Sequence, residues 1–454
     1  MSLEELNEDQ VLNDPNPEMI SDEQVAEIVA EDDGAEAPMS EDEDMEDIDR
    51  MEDDEEENDE DHENGGYDKN GNIEIDLRNN SCSYFDEHKD SIYMISTHPK
   101  LPLVMTGGGD NTAYIWTCHS HPPKMVAELE GSTESVVAGG FSPDGAYAVT
   151  GDMTGTITAW KAIKRGEAWK AHGKVSEVDE VIWIKFHPKQ AHIFALGAAD
   201  GSVWVYSLAP ELENITVLYS HSLPCTNGEW VDVDDMDSLT LMTCSEDGTI
   251  VNWNVYTGAS NWRLGRKELR GEKPWVNMKL SPSGGTIAVG GSEGSLALIG
   301  VATGTTLDVI KTGNSSDLLD NSIEALAFSN SETLPLLAVG NVSGQVYLYD
   351  AKSWKIRRTF DINSITDNKD EREIEVGETA VTQLLFDGPL DLDLYCSSMD
   401  GVIRRWDVRN GAITWEGHGH NSGILGFALA PTLTGGKRLV SAGDEGVSLV
   451  FELE

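Results

Sequence analysis

The chain has 454 residues and a formal charge of -51 at neutral pH, with 82 Asp/Glu against 31 Lys/Arg. Such an acid excess argues against the proteins that hold nucleic acid by displacing counterions with Lys and Arg, and it makes a basic polypeptide the natural complement. The five cysteines (Cys82, Cys118, Cys225, Cys244, Cys396) form no C-x-x-C pair, and no run of about 18 apolar residues occurs; the expectation is a soluble intracellular protein with reduced thiols, no disulfide or zinc framework and no membrane partner.

The chain opens on a polyanion. Residues 1–63 hold 30 Asp/Glu against the single base Arg50, a net of -29, which leaves -22 for the remainder. A segment so poor in aromatic and β-branched residues cannot bury enough apolar surface to offset the entropy of ordering, so residues 1–78 are expected to be a disordered acidic tail. Within it, SDEQVAEIVAE at 21–31 places Val25, Ile28 and Val29 at helical spacing behind a candidate cap, Ser21. The acidic run reads either as a solubilising tail or as a polyanion that screens a basic client from RNA.

After the tail comes SCSYFD (81–86), a short alternating segment, and then a repeat. Eight five-residue segments line up: TAYIW (112–116), TITAW (156–160), SVWVY (202–206), TIVNW (249–253), SLALI (295–299), QVYLY (345–349), VIRRW (402–406) and VSLVF (447–451). Seven end in an aromatic residue, with Ile299 the exception. Seven follow glycine (Gly155, Gly201, Gly248, Gly294, Gly344, Gly401, Gly446), and Asn111 fills that place in the first copy. Asn tolerates the left-handed backbone best after Gly, so the turn requires positive φ in every copy. Just upstream of each lies a second strand ending in a small-residue turn, as in AVTGDMTG and FALGAADG, which is hairpin chemistry.

The glycine-equivalent positions are spaced by 44, 46, 47, 46, 50, 57 and 45 residues, the period of a four-stranded propeller blade. FSPDG (141–145) and LSPSGG (280–285) mark a further hairpin turn inside the repeat, and Trp406-Asp407 supplies a WD dipeptide. On these residues the chain resembles the WD-repeat propellers. The fold expected over residues 81–454 is therefore all-β, an eight-bladed WD-repeat β-propeller. Most copies lack the family's Gly-His signature, which Gly417-His418 and His420 alone echo, so the Asp-His-Ser-Trp network is expected to be weak. Phe451 lies almost at the last residue, so the final blade needs an outer strand from elsewhere. The N-terminal SCSYFD is expected to supply it and to close the ring, hiding the edge strands. The longest step contains DINSITDNKDEREIEVGE (361–378), expected to be an exposed, mobile charged loop.

Catalytic and metal motifs read as structure. Gly107-Gly108-Gly109 has no following Gly-Lys-Ser/Thr and aligns with the hairpin turn of the other copies. Cys118, His119 and His121 offer only short-range ligands in a loop. No histidine neighbours a serine in a G-x-S-x-G context. No cofactor and no catalysis are expected.

The informative residues are acids. In a propeller the loop leading into the innermost strand and the turn between the two middle strands open on one face, around the channel mouth. Those places hold Asp90, Glu134, Glu180, Glu229 and Glu324 before the inner strand, and Asp110, Asp152, Asp200, Glu293, Asp400 and Asp444 at the turn. Turn aspartates often cap their own backbone amides, whereas Glu is a poor turn former. A ring of carboxylates from different blades would focus negative potential and steer a Lys/Arg-rich peptide to the mouth. The partner-binding set is Glu134, Glu180, Glu324, Asp444, Asp90, Asp110, Glu229 and Glu293.

A closer likeness lies in SYFDEHKDSI (83–92), LPLVMTGGGDN (101–111), HSHPPK (119–124), GAADGSVW (197–204), TIVNWNVYTG (249–258) and SAGDEGVSLVFE (441–452). These resemble the WD-repeat family of the fungal suppressor of QM-protein truncation and the animal angio-associated migratory cell protein. The resemblance implies a dedicated chaperone of the QM-type ribosomal protein of the large subunit. Such a chaperone holds the client's basic N-terminal segment and delivers it to the assembling subunit. It also implies, by position within the motifs, client contacts at Glu134 in GSTESV, Glu180 in VDEVIW, Glu324 in SIEALAF and Asp444 in AGDEG. A general WD-repeat scaffold, such as a ubiquitin-ligase receptor, and a histone chaperone stay open as alternatives. A monomer is expected, without direct nucleic-acid contact, acting in the cytoplasm and also in the nucleus.

Overall fold

The computed structural model describes residues 78–453 apart from 236, 271–273 and 367–375, together with a two-residue ladder between Gly66–Tyr67 and Ile73–Glu74. The acidic run and the helical pattern at 21–31 lie outside the described residues. From residue 83 onward the strands form eight four-stranded antiparallel sheets. The inner strands are Ile92–Thr97, Val136–Phe141, Val181–Phe186, Cys225–Val231, Trp275–Leu280, Ile323–Phe328, Val381–Asp387 and Ile424–Pro431. Each packs against the inner strands of the blades before and after it, and the eighth packs against the first. The ring is closed.

All eight repeat segments are the third strands of their blades. Their terminal residues are the wedge of the core: Trp116, Tyr206, Ile299, Tyr349, Trp406 and Phe451 are at most 1% exposed, and burial of such side chains is the chief driving force of the fold. The turn glycines stand at φ between 73° and 83°, and Asn111 at 63°. An L side chain other than Asn would be strained there.

The eighth blade takes its outer strand from the beginning of the propeller. Ser83–Phe85 pairs with Ser448–Val450, and Cys82 N donates to Val450 O at 2.8 Å. Phe85 stacks on Trp116 of the first blade at 4.6 Å between ring centres, so this strand is stapled to both sides of the seam. The charged loop expected over 361–378 begins with order: Asp361 ends an outer strand, Ile362 is fully buried and Asn363–Thr366 make one helical turn. Residues 367–375 lie outside the described residues.

Candidate functional site: an acidic channel mouth

One repeated hydrogen bond fixes which residues share a face. In every blade the turn between the second and third strands donates a backbone N–H to the loop leading into the inner strand of the same blade. Examples are Gly109 to Ser91, Ala199 to Glu180 and Asp444 to Gly423, and the eight distances run from 2.9 to 3.2 Å. Both sets of loops therefore lie together around one mouth of the channel, as expected from the strand order.

Glu134 is exposed and Glu180 half-buried, and neither side chain has a polar partner among the described residues. Asp90, also exposed, accepts from the backbone N–H of Ser91 through one oxygen only, at 2.8 Å. It overhangs the triple glycine: a Cβ on Gly109 would meet the Asp90 carboxyl carbon at 2.9 Å, so that glycine is needed for close approach. The carboxylate of Glu324 accepts from Ser322 Oγ at 2.6 Å. Asp444 stands on the seam, where Ser91 Oγ donates to its Oδ1 at 2.7 Å and Ser422 Oγ to its Oδ2 at 3.2 Å. Glu293 lies in the turn of the fifth blade, its backbone carbonyl accepting from Lys311 Nζ.

Four expected positions differ. Glu324 is the second residue of the inner strand Ile323–Phe328 and does not lie in the loop before it. Glu229 is not in the loop before its strand but is the fifth residue of the inner strand Cys225–Val231. There Lys185 Nζ approaches its Oε1 to 3.0 Å and Lys279 Nζ to 3.5 Å. Burial pushes the Glu229 carboxyl up, but the two lysines outweigh it and hold the group below its ordinary range. Its charge is therefore consumed inside the channel, where two cations face one anion. Asp110, with a side chain 10% exposed, accepts from His88 Nδ1 at 3.1 Å and from the backbone N–H of Lys89 at 3.0 Å; its carboxylate serves the fold. Asp152 is fully buried and accepts from the N–H groups of Thr154, Thr156 and Thr133 at 2.8–3.0 Å.

The internal networks are also stronger than the missing Gly-His pairs suggest. In the first blade Trp116 Nε1 donates to Thr106 Oγ1 at 3.2 Å and His88 Nε2 meets the same hydroxyl at 2.9 Å, completing the chain to Asp110. The fourth blade repeats it with Trp253, Thr243, His221 and Asp247. Hydrogen bonds from His221, Thr249 and the backbone overcome burial and hold the Asp247 carboxyl far below its ordinary range. The eighth blade keeps His420 with Ser441 and Glu445, with Phe451 in the tryptophan place.

Sequence reading missed two rim acids. Glu246 occupies the turn position equivalent to Asp444, its backbone N–H bonded to Pro224 O and its side chain exposed. Aligning SEDG with AGDEG on the turn glycine would have found it. Asp179, exposed beside Glu180, is the other. The mouth thus collects carboxylates from seven blades above a channel interior with an excess cation. Such an arrangement attracts a cationic chain to the surface and opposes its threading. Elsewhere, Cys82, His121 and Glu452 approach each other, but the Arg438 guanidinium lies among them, bonded to Glu452 at 2.5 Å.

Residues 79–117 and 123–161 match the family described as WD domain, G-beta repeat. Over 401 residues the chain is 39% identical to the ribosome assembly protein SQT1 of Saccharomyces cerevisiae, an alignment covering 84% of this chain and 88% of that one. It is 28% identical over 421 residues to the angio-associated migratory cell protein of Canis lupus familiaris, covering 90% and 89%. The crystal structure of Saccharomyces cerevisiae Sqt1 superposes with a TM-score of 0.76 at 37% identity, covering 83% of this chain and all of that one. That of Chaetomium thermophilum Sqt1 bound to the N-terminus of the ribosomal protein L10 superposes at 0.71 with 29% identity and the same coverage.

Proposed function

The chain belongs to the Sqt1 family of WD-repeat ribosome assembly proteins, and on that premise we propose that it is the dedicated chaperone of an L10-type ribosomal protein. Its acidic channel mouth binds the basic N-terminal segment of the newly made client and delivers the client to the assembling large subunit. The observation that carries this reading is the placement of Glu134 and Glu180 on adjacent blades of the mouth with no polar partner among the described residues. A carboxylate at the mouth with no polar partner in the fold is free to act on a ligand. A related propeller of matching architecture has been captured with the N-terminus of ribosomal protein L10.

Within this reading Glu134, Glu180, Glu324, Asp444 and Asp90 contact the client, with Glu293 and Glu246 extending the ring. Asp110 is spent on the fold and Glu229 on the channel lysines, and neither contacts the client. The chain works by binding alone and performs no catalysis. The unpaired thiols support a reducing compartment, and we read its site of action as the cytoplasm, extending to the nucleus. Pull-down of tagged chain from its own cells at low and high salt, with identification of bound proteins, tests the reading. Salt-sensitive recovery of the ribosomal protein is expected. Recovery of histones or ubiquitin-ligase subunits in its place would overturn it.

A further inference from the structure

Every inner strand carries a bulge at its second residue. The ladder to the second strand skips one position in all eight blades, between Ile92 and Met94, Val136 and Ala138, and so on around the ring. The first residue of each strand is fully buried, whereas the bulge residue is partly or largely open to solvent. The fold therefore presents eight equivalent side chains at one level, just inside the acidic loops. Five of them are Tyr93, Val137, Ile182, Val276 and Leu425; Tyr93 is 46% exposed, whereas Val137 and Ile182 pack in part against the cores between blades. Two are threonines whose hydroxyls are tied to the next blade: Thr226 Oγ1 donates to Trp275 O at 2.8 Å and Thr382 Oγ1 to Ile424 O at 2.6 Å. The eighth is Glu324.

The mouth is thus layered: carboxylates outermost, a collar of five apolar side chains, two threonines with tied hydroxyls and one carboxylate, and below it the belt of Lys185, Glu229 and Lys279 with its extra cation. A polypeptide drawn in by the outer charge meets a surface at the collar that hydrates poorly and rewards burial of hydrocarbon. A basic side chain gains nothing by going deeper, because the belt repels it.

We propose that the collar is an anchoring subsite for one apolar or aromatic side chain of the client, flanked on both sides by Arg or Lys. The client would then be recognised as a basic segment with an apolar residue at a fixed place, and polycations lacking one would bind more weakly. This rests on the reading of the mouth as a site for a cationic client.

The test uses two synthetic Arg/Lys peptides of equal length and charge, one with a single central Tyr and one with Ser in its place, titrated against the full chain. Burial of one such side chain in a partly open collar predicts about tenfold tighter binding of the Tyr peptide. Tyr93→Ser with Leu425→Ser reduces the preference to about twofold or less, while the salt dependence is kept. Tyr93→Ser alone, at an exposed position, serves if the double variant does not fold. Equal wild-type affinity for both peptides, or a preference that survives the substitutions, would overturn the collar. Failure of the wild type to bind either peptide would mean that the charged rim itself is misread.

Discussion

Glu134 lies exposed at the rim without a polar partner among the described residues, whereas Glu229 lies in the channel between two lysines, and substitution should separate their roles cleanly. An exposed carboxylate contributes about 0.2–1 kcal/mol to an ion pair. Reversal to lysine removes that attraction and adds a repulsion of similar size, so Glu134→Lys and Glu180→Lys should each cost up to about 2 kcal/mol of binding, or about 30-fold. Together they should approach about a thousandfold if the sites act independently. Neither carboxylate has a polar partner among the described residues, so stability should stay within about 0.5 kcal/mol of wild type. For Glu229→Gln the pattern inverts. Lys185 and Lys279 lose their shared counter-charge, and breaking a partly buried, channel-exposed cluster should cost about 1–3 kcal/mol of stability. Peptide affinity should change by less than about threefold, since the group lies below the mouth and salt screens it. Fluorescence anisotropy with an Arg/Lys-rich peptide at low and high salt, alongside thermal unfolding of each variant, reads both quantities. A binding loss for Glu229→Gln equal to that for Glu180→Lys would refute the division between rim and channel.

The remaining predictions concern the ring. Phe85→Ala removes the closing strand's anchor on Trp116 and should destabilise the propeller by about 3–5 kcal/mol, measured by denaturant unfolding; a loss below about 1 kcal/mol would mean that the strand does not close the ring. Burial lowers the His88 pKa despite the opposing pull of Asp110. The unfolded chain therefore takes up the proton first as pH falls through about 6.5, and the stability tied to neutral His88 is lost towards lower pH. The stability gap between wild type and His88→Gln should accordingly narrow from pH 7 to pH 5, and a widening gap would reverse the sign. Of the five thiols only Cys82 is exposed, while burial pushes Cys118 up to about 11 and Cys244 to about 12. A maleimide should label the native chain once, at Cys82, within the time in which the unfolded chain reacts five times.

The propeller is legible in the sequence because its third strands carry two independent signals in the same place. The turn glycine is required by positive φ, and the terminal aromatic by the wedge between blades. Both recur with the blade period. SCSYFD is legible as a strand because its residues alternate, and its pairing with Ser448–Val450 makes it the closing strand. Glu229 escapes because an inner strand faces the solvated channel: Thr226, Asn227 and Glu229 are polar, so the strand's apolar pattern starts at Trp230 although the ladder begins at Cys225. His88 and His221 escape for another reason. They enter their networks without a preceding glycine, and spatial placement by the strand ladder supplies what the short motif does not. The collar is hidden altogether, since its members are a single residue per blade and differ in type; the shared bulge that unites them is a property of pairing. The rim acids fall between these cases. Their positions follow from the repeat, but only the structure separates Asp110, spent on His88, from Glu134 and Glu180.

The central claim is that these free carboxylates capture the basic beginning of one ribosomal protein. Titration calorimetry of the full chain with the N-terminal segment of the L10-type protein from its own organism tests it most directly. The account predicts one-to-one binding that weakens steeply with salt and disappears in the Glu134→Lys, Glu180→Lys double variant. Binding of equal strength to that variant, or none to the wild type, would contradict it.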